Sequence, residues 1–267
     1  MELLSSKENS IIKSCKALAE SASERRKQGL VFLEGARLCG EASEAGAEAQ
    51  SLLVTEEAWE KWQERLLPLS QQVQSCYMIT PQLAKHISET QSAQGVYCVC
   101  TMPKSKPADF SAGGNFLLLD RLQDPGNMGT IIRTAEAFGI DRVIFSRDCV
   151  DIWSPKVLRS TMGSCFRVAT EESDNLAETV GQLRRNGVAV YGAALRRDAR
   201  TPAQLVRGRT GIAVVIGNEG SGITKQVLDA CDYALYIPMT DKIESLNASA
   251  AAAILLWELY RQGGGAV

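Results

Sequence analysis

From residue 115 onward the chain repeats one pattern: a run of apolar residues, then a stretch with helical spacing. The runs are NFLLLD (115–120), RVIFS (142–146), VAVYGAAL (188–195), GIAVVIG (211–217) and YALYIP (233–238), with helices expected at 129–138, 154–162, 174–186, 223–230 and 246–261. Strands that are apolar throughout, rather than at every second position, must be covered on both faces, and strands separated by helices pair in parallel. The pattern therefore predicts an α/β domain built on a mostly parallel sheet. Such sheets take their ligands beyond the carboxyl ends of the strands, so the loops there should carry the chemistry.

The first hundred residues read differently. QSLLVT (50–55), QVQSCYMIT (72–80) and GVYCVC (95–100) are expected strands, with a Trp- and Glu-rich helix at 56–67 and a shorter one after Pro81. Between the two parts, residues 101–115 mix Pro, Gly, Lys and Ser in the manner of a linker. We therefore expect a smaller α/β domain at 1–103, a linker at 104–114 and the parallel-sheet domain at 115–267.

Composition excludes several chemistries. One histidine, His86, rules out His-dyad, His-triad and multi-His metal mechanisms, so no metal is expected. The eight cysteines contain no C-x-x-C pair and read as buried free thiols of a reducing cytosol. The longest apolar run, residues 248–257, is too short to span a membrane, and a soluble cytoplasmic protein is expected. The formal net charge of −2 argues, taken alone, against a nucleic-acid partner. It is an average, however: residues 41–64 carry −6, residues 184–209 carry +6 through seven Arg and one Asp, and residues 13–37 carry +3, including Arg25-Arg26-Lys27. Arg196, Arg197 and Arg200 follow an expected strand at its carboxyl end and could meet phosphates, as could the basic segment at 13–37.

Three loops stand out. The first follows FLLLD and runs through Asn127 and Gly129 to Arg133, whose guanidinium fork suits phosphate. Asn127 either caps the following helix or faces a cleft together with Arg133. The second, IGNEGSGI (216–223), has three glycines in six residues, but it is neither G-x-G-x-x-G nor a Walker A loop. Glu219 within it would repel phosphate, yet could accept from a ribose hydroxyl or orient an Arg. The third runs from Ile237 through Met239, Ser245, Leu246 and Asn247 into an alanine-rich helix, with Ser245 at the expected N-cap. The small face of Ala248, Ala251, Ala252 and Ala253 suits close packing, either within the chain or against a second subunit.

In order and spacing, N-x-G-x-x-x-R-T-A-x-x-F-G, I-G-N-E-G-x-G and I-P-M-x(5)-S-L-N-A-S-x-A resemble the three motifs of the SpoU (TrmH) family of RNA ribose 2′-O-methyltransferases, of the SPOUT class. The resemblance covers about 150 residues, with Ala248 as a common departure from Val. The first hundred residues resemble, more loosely, the L30e-like substrate-binding domain found in rRNA-directed members.

The resemblance implies a deep trefoil knot, formed by the second and third motifs, that holds S-adenosylmethionine in a bent shape. Carried over by position, the cofactor would lie against Ala194, Ile216, Gly217, Asn218, Ile237, Met239, Ser245, Leu246 and Asn247. Arg133 would be the catalytic arginine, with Asn127, Glu219, Ser245 and Asn247 at the other active-site positions and Glu219 holding Arg133 or Asn127 in place. Family members are generally homodimers in which the arginine of one subunit serves the cofactor of the other. The implied substrate is RNA rather than DNA, since the nucleophile is the 2′-hydroxyl, and rRNA in preference to tRNA because of the extra N-terminal domain. A tRNA substrate and a non-catalytic RNA-binding protein on the same scaffold are the alternatives. A dinucleotide oxidoreductase lacks its glycine fingerprint here.

Overall fold

A computed structural model describes residues 1–104, 107–196, 198–240, 242–243 and 245–263. Ser105 and Lys106 of the expected linker, and Arg197 of the basic run, lie outside them. In chain order the elements are β1 (Glu2–Leu4), α1 (Ser10–Glu20), α2 (Ala22–Gln28), β2 (Leu30–Glu34), α3 (Ala36–Glu44), β3 (Ala49–Val54), α4 (Glu56–Gln72), β4 (Ser75–Ile79), α5 (Pro81–Ile87) and β5 (Val96–Thr101). They continue with β6 (Gly114–Asp120), α6 (Pro125–Ala137), β7 (Arg142–Ser146), α7 (Pro155–Thr161), β8 (Ala169–Ser173), α8 (Leu176–Arg185), β9 (Val188–Ala193), β10 (Gly211–Gly217), α9 (Lys225–Ala230), β11 (Tyr233–Leu235) and α10 (Ala248–Gln262). The chain forms two compact units, Met1–Lys104 with Asp151–Arg167, and Ser105–Val150 with Val168–Val267.

The second unit is the expected parallel sheet. Its six strands run β11-β9-β10-β6-β7-β8, every neighbouring pair parallel. β10 is buried at all seven positions and paired on both sides, as its unbroken apolar sequence requires. Each Val or Ile withdrawn from water there contributes roughly 1.5–3 kcal/mol. β8, sequence ATEES, was not expected as a strand. It lies at the sheet edge on β7, where one flank stays open to water and charge is tolerated. Glu171 on it pairs with Arg142 at 2.9 Å. β11 is shorter than the run YALYIP because Tyr236 donates its N–H to the Arg200 carbonyl instead of continuing along β9.

The first unit carries a five-stranded mixed sheet, β1-β4-β3-β5-β2, in which β5 runs antiparallel to both neighbours. β1 and β2 were not expected from the sequence. Phe32 stacks on Tyr97 with ring centroids 5.5 Å apart, and the Tyr97 hydroxyl donates to the Ala84 carbonyl at 2.9 Å. α4 extends beyond the expected 56–67 and is kinked at Trp62.

Two buried charges fasten residues 151–167 into this unit. Arg25, 3% exposed, donates to Asp151 at 2.5 and 2.9 Å and to the carbonyls of Leu18 and Ala19 that end α1. Glu34, 5% exposed, accepts from Ser88, Thr90, the Glu89 amide and Arg159. Every such charge has a partner, the condition under which burial is tolerable. Arg25 is thereby withdrawn from the phosphate-contacting role considered for segment 13–37. Several described arginines of the run at 184–209 are also engaged with their own chain. Arg184 reaches Asp232 at 2.6 Å, Arg196 reaches Asp198 at 3.0 Å, and Arg200 stacks 3.4 Å above the Tyr233 ring. No helix among the described residues is long and apolar enough to cross a membrane.

Candidate active site

The loop after β6 turns into α6 four residues before the expected start. Pro125, with its φ already fixed near the helical value, opens the helix, and Asp124 caps it by accepting from the Asn127 amide at 2.7 Å. Asn127 is therefore inside the helix and is not its cap. Its side chain, 7% exposed, donates to Glu219 Oε1 at 3.0 Å and accepts from Asn247 Nδ2 at 2.9 Å. One residue from each of the three loops thus enters a single hydrogen-bonded chain, Glu219–Asn127–Asn247. Arg133 stands apart from it. Six helical steps carry it about 240° around α6 from Asn127, and it is exposed. The expectation that both face one cleft assumed a loop running into the first helical turn between them, whereas the helix already starts at Pro125. Of the two partners expected for Glu219, Asn127 is the one it meets in a hydrogen bond.

The glycine-rich loop closes tightly on itself. Asn218 and Gly222 exchange backbone hydrogen bonds of 3.1 and 2.9 Å, and Asn218 Oδ1 accepts from the Gly220 amide and from the amide and hydroxyl of Ser221. Gly222 sits at φ 68°, in the left-handed region that favours glycine. At Gly217 a Cβ would lie 2.2 Å from the backbone of Gly222 and Ile223, so that position admits no side chain. Glu219 is braced from the first loop by the amides of Gln123 (3.2 Å) and Asp124 (3.0 Å). Partial burial favours its protonated form, but the hydrogen bonds from Asn127 and from the Asp124, Glu219 and Gln123 backbones outweigh this and hold its carboxyl below the usual glutamate range.

In the third loop the cap of α10 is Asn247, whose Oδ1 accepts from the amides of Ser249 and Ala250 at 2.9 and 3.3 Å. Ser245, the expected cap, lies two residues too early. Asn247 wins because its amide satisfies the helix end with the oxygen and Asn127 with the nitrogen. The small face of α10 is used within the chain: Ala252 is fully buried, and Ala248 and Ala251 border the adjoining pocket.

That pocket encloses about 360 Å³, a size ordinary for an organic ligand, beyond the carboxyl ends of β9, β10 and β11. Ala194, Ile216, Gly217, Asn218, Ile237, Met239, Ser245 and Leu246 line it, as does Glu219. Of the residues expected at the site, Asn127, Arg133 and Asn247 do not; Asn127 and Asn247 stand behind it through the Glu219 chain. Sequence reading missed Ser221, Tyr236, Ala251 and Leu255 in the lining. The i, i+4 spacing of Ala251 and Leu255 on one helix face was the available signal for the last two. Small and branched apolar walls suit an adenine ring. Among the described residues, Ile237, Met239 and Leu246 also make no backbone hydrogen bond elsewhere, which leaves donors and acceptors for a ligand's polar edge. The pocket fits S-adenosylmethionine on both counts.

An all-parallel sheet with a glycine-lined apolar pocket at its carboxyl end defines the α/β class that holds a small organic ligand at the strand ends. Residues 114–257 match the SpoU rRNA Methylase family, and residues 9–98 match the MRM3-like substrate binding domain. The chain belongs to the SpoU rRNA methylase family. It is 35% identical over 259 residues, 97% of this chain and 99% of the other, to the 23S rRNA (guanosine(2553)-2'-O)-methyltransferase RlmP of Bacillus subtilis strain 168. A TrmH-family protein from Porphyromonas gingivalis superimposes with a TM-score of 0.81 at 31% identity, covering 94% of this chain and 97% of that one. The SpoU methyltransferase AviRb from Streptomyces viridochromogenes, solved in complex with AdoMet, gives 0.81 at 28% identity over 96% and 98% of the two chains.

Proposed function

We propose that this protein is an S-adenosylmethionine-dependent methyltransferase acting on a ribose 2′-hydroxyl of RNA, with rRNA as the substrate class. The observation that carries the reading is the pocket: the end of β9, the glycine-rich loop and the third loop, far apart in sequence, converge on one cavity, lined by eight of the nine residues expected to hold the cofactor. The RlmP relative, alike over almost the whole of both chains, and the AdoMet complex of AviRb support cofactor and reaction. The match of residues 9–98 to a substrate-binding domain supports an RNA-docking role for residues 1–103.

The bound cofactor supplies an electrophilic methyl on a sulfonium. Its transfer to the ribose oxygen would leave the C–S electron pair on sulfur, and the hydroxyl proton would pass to solvent water. The chain contributes alignment, worth most when the reacting atoms are held in line. Ile216, Gly217, Ile237, Met239 and Leu246 would fix the adenosine, and the Glu219–Asn127–Asn247 chain locks the loops that form the walls. A guanidinium is a poor proton acceptor, so Arg133 would orient the hydroxyl and stabilise the developing oxyanion while clamping the neighbouring phosphate. Its exposed position away from the pocket of its own chain supports a homodimer in which it serves the partner's pocket. The exposed Ile254 and Trp257 of α10 offer apolar surface for that contact. The knot that the family resemblance implies would be closed by the same second and third loops.

Incubating the protein with methyl-labelled S-adenosylmethionine and host RNA, then fractionating rRNA from tRNA and mapping the label, tests the reading. Label is expected in a 2′-O-methyl ribose of rRNA. Label in tRNA would reassign the substrate, and binding of cofactor and RNA without transfer would overturn the enzymatic reading.

A further inference from the structure

Arg121 emerges from the end of β6 at φ 56°, a backbone conformation that residues with a side chain rarely hold, and such outliers persist where the surroundings enforce them. Its neighbours show what enforces this one. Its amide donates to Ser146 Oγ at 2.9 Å, and its carbonyl accepts from Asn218 Nδ2 at 2.8 Å. Its guanidinium donates to Ser221 Oγ at 3.2 Å and to the Gly222 carbonyl at 3.5 Å. One residue therefore grips the glycine-rich turn at its first position through the backbone and at its last two through the side chain. Asn218, Ser221 and Gly222 all line the pocket, whereas Arg121 does not. The grip has a cost besides the backbone: Arg121 Nε is buried without a hydrogen-bond partner, 3.8 Å from Asp120 Oδ1. The adjoining Asp120, 2% exposed, accepts from the Thr224 amide just past the turn at 2.6 Å and anchors its far side.

We propose that Arg121 is a positioning residue for the cofactor: it clamps the 218–222 turn in the shape that receives S-adenosylmethionine, and acts only through that turn. The proposal rests on the reading of the pocket given above. A glycine at 121 would adopt the same backbone without strain, so the arginine side chain is kept for its hold on Ser221 and Gly222.

Arg121→Gly separates the two effects, because it relieves the backbone while releasing the turn, and Arg121→Lys restores one charged donor. In the full-length chain, Arg121→Gly is expected to raise the Kd and KM for S-adenosylmethionine about tenfold, roughly 1.4 kcal/mol. Its kcat should stay within about twofold, since chemistry in the filled site is untouched. Its melting temperature should not fall, and the amides of 218–222 should exchange hydrogen faster without ligand. Arg121→Lys should recover part of the affinity. Native affinity in Arg121→Gly, or weaker binding matched by an equal loss of thermal stability, overturns the clamp while leaving the pocket assignment standing. If the native chain itself fails to bind S-adenosylmethionine, the pocket assignment falls and this role falls with it.

Discussion

Replacing Gly217 with alanine tests the architecture of the pocket at its tightest point. The added Cβ would sit 2.2 Å from the Gly222 carbonyl carbon and from the Ile223 nitrogen, and 2.6 Å from the Gly222 oxygen. Ordinary contact begins at 3.4 Å, so 3.4 − 2.2 leaves 1.2 Å to be found by moving backbone, because no flexible side-chain end is in the way. Overpacking of this kind costs about 1–3 kcal/mol, which for a unit of this size lowers the melting temperature by roughly 2–12 °C. The site is affected as well. The turn that must move carries Asn218, Ser221 and Gly222 of the lining, so a displacement of about 1 Å spoils the fit to the cofactor and should weaken its binding on the order of 10²-fold, about 2.7 kcal/mol. Gly220→Ala is the matched control. There the nearest atom to a Cβ is Asn218 Oδ1 at 3.7 Å, and the same chemical change in the same loop should be tolerated. Isothermal titration with S-adenosylmethionine, beside thermal melts of both variants, measures the difference. Equal affinity in the two variants would refute the argument that this turn is set by backbone contact at Gly217.

Arg133→Ala is expected to keep cofactor affinity within about twofold while methyl transfer falls by about 10²-fold or more, the range for removing a transition-state donor; single-turnover assays with saturating cofactor would show a retained rate if the assigned role were wrong. Glu219, held below the ordinary glutamate range, stabilises the fold fully above the unfolded-state value of about 4.3, and that contribution disappears as pH falls through the lower folded-state value. Acid melts of Glu219→Gln should be less steep over that window than those of the native chain. Asp151→Ala leaves Arg25 buried and unpaired and should destabilise the first unit by about 3–5 kcal/mol, seen as a lower urea midpoint; Arg25→Met with Asp151→Leu should recover most of it. Burial pushes the Cys15 thiol up to about 12, so its neutral form favours the fold below about pH 8.5, and this contribution is lost as pH rises toward the folded value. Iodoacetamide at pH 8.5 should spare Cys15 in the native chain and label it in urea; rapid native labelling would contradict its burial.

The amino-acid sequence by itself determined the architecture of the second unit. Runs such as GIAVVIG can only be strands covered on both faces, and that pattern is local, written in consecutive residues. Glycine, proline and small residues, which carry their backbone meaning with them, marked the three loops, and the resemblance of those loops to the family motifs marked eight of the residues that line the pocket. The polar strand β8 escaped, since an edge strand needs no apolar signature. So did the α6 start at Pro125, where a capping Asp124 extended the helix and turned Arg133 away from Asn127.

Only the tertiary structure decided which side chains meet. Asn127 finds Glu219 at a separation of 92 residues and Asn247 at 120, and no local pattern encodes a partner so distant. The same holds for residues 151–167, which interrupt the parallel-sheet unit in sequence yet are bound into the first unit by Asp151 and Arg159. Burial is decided residue by residue, and composition and spacing express it. Hydrogen-bond partnership is settled by how strands and helices deliver remote groups to one place, and that is a property of the folded chain.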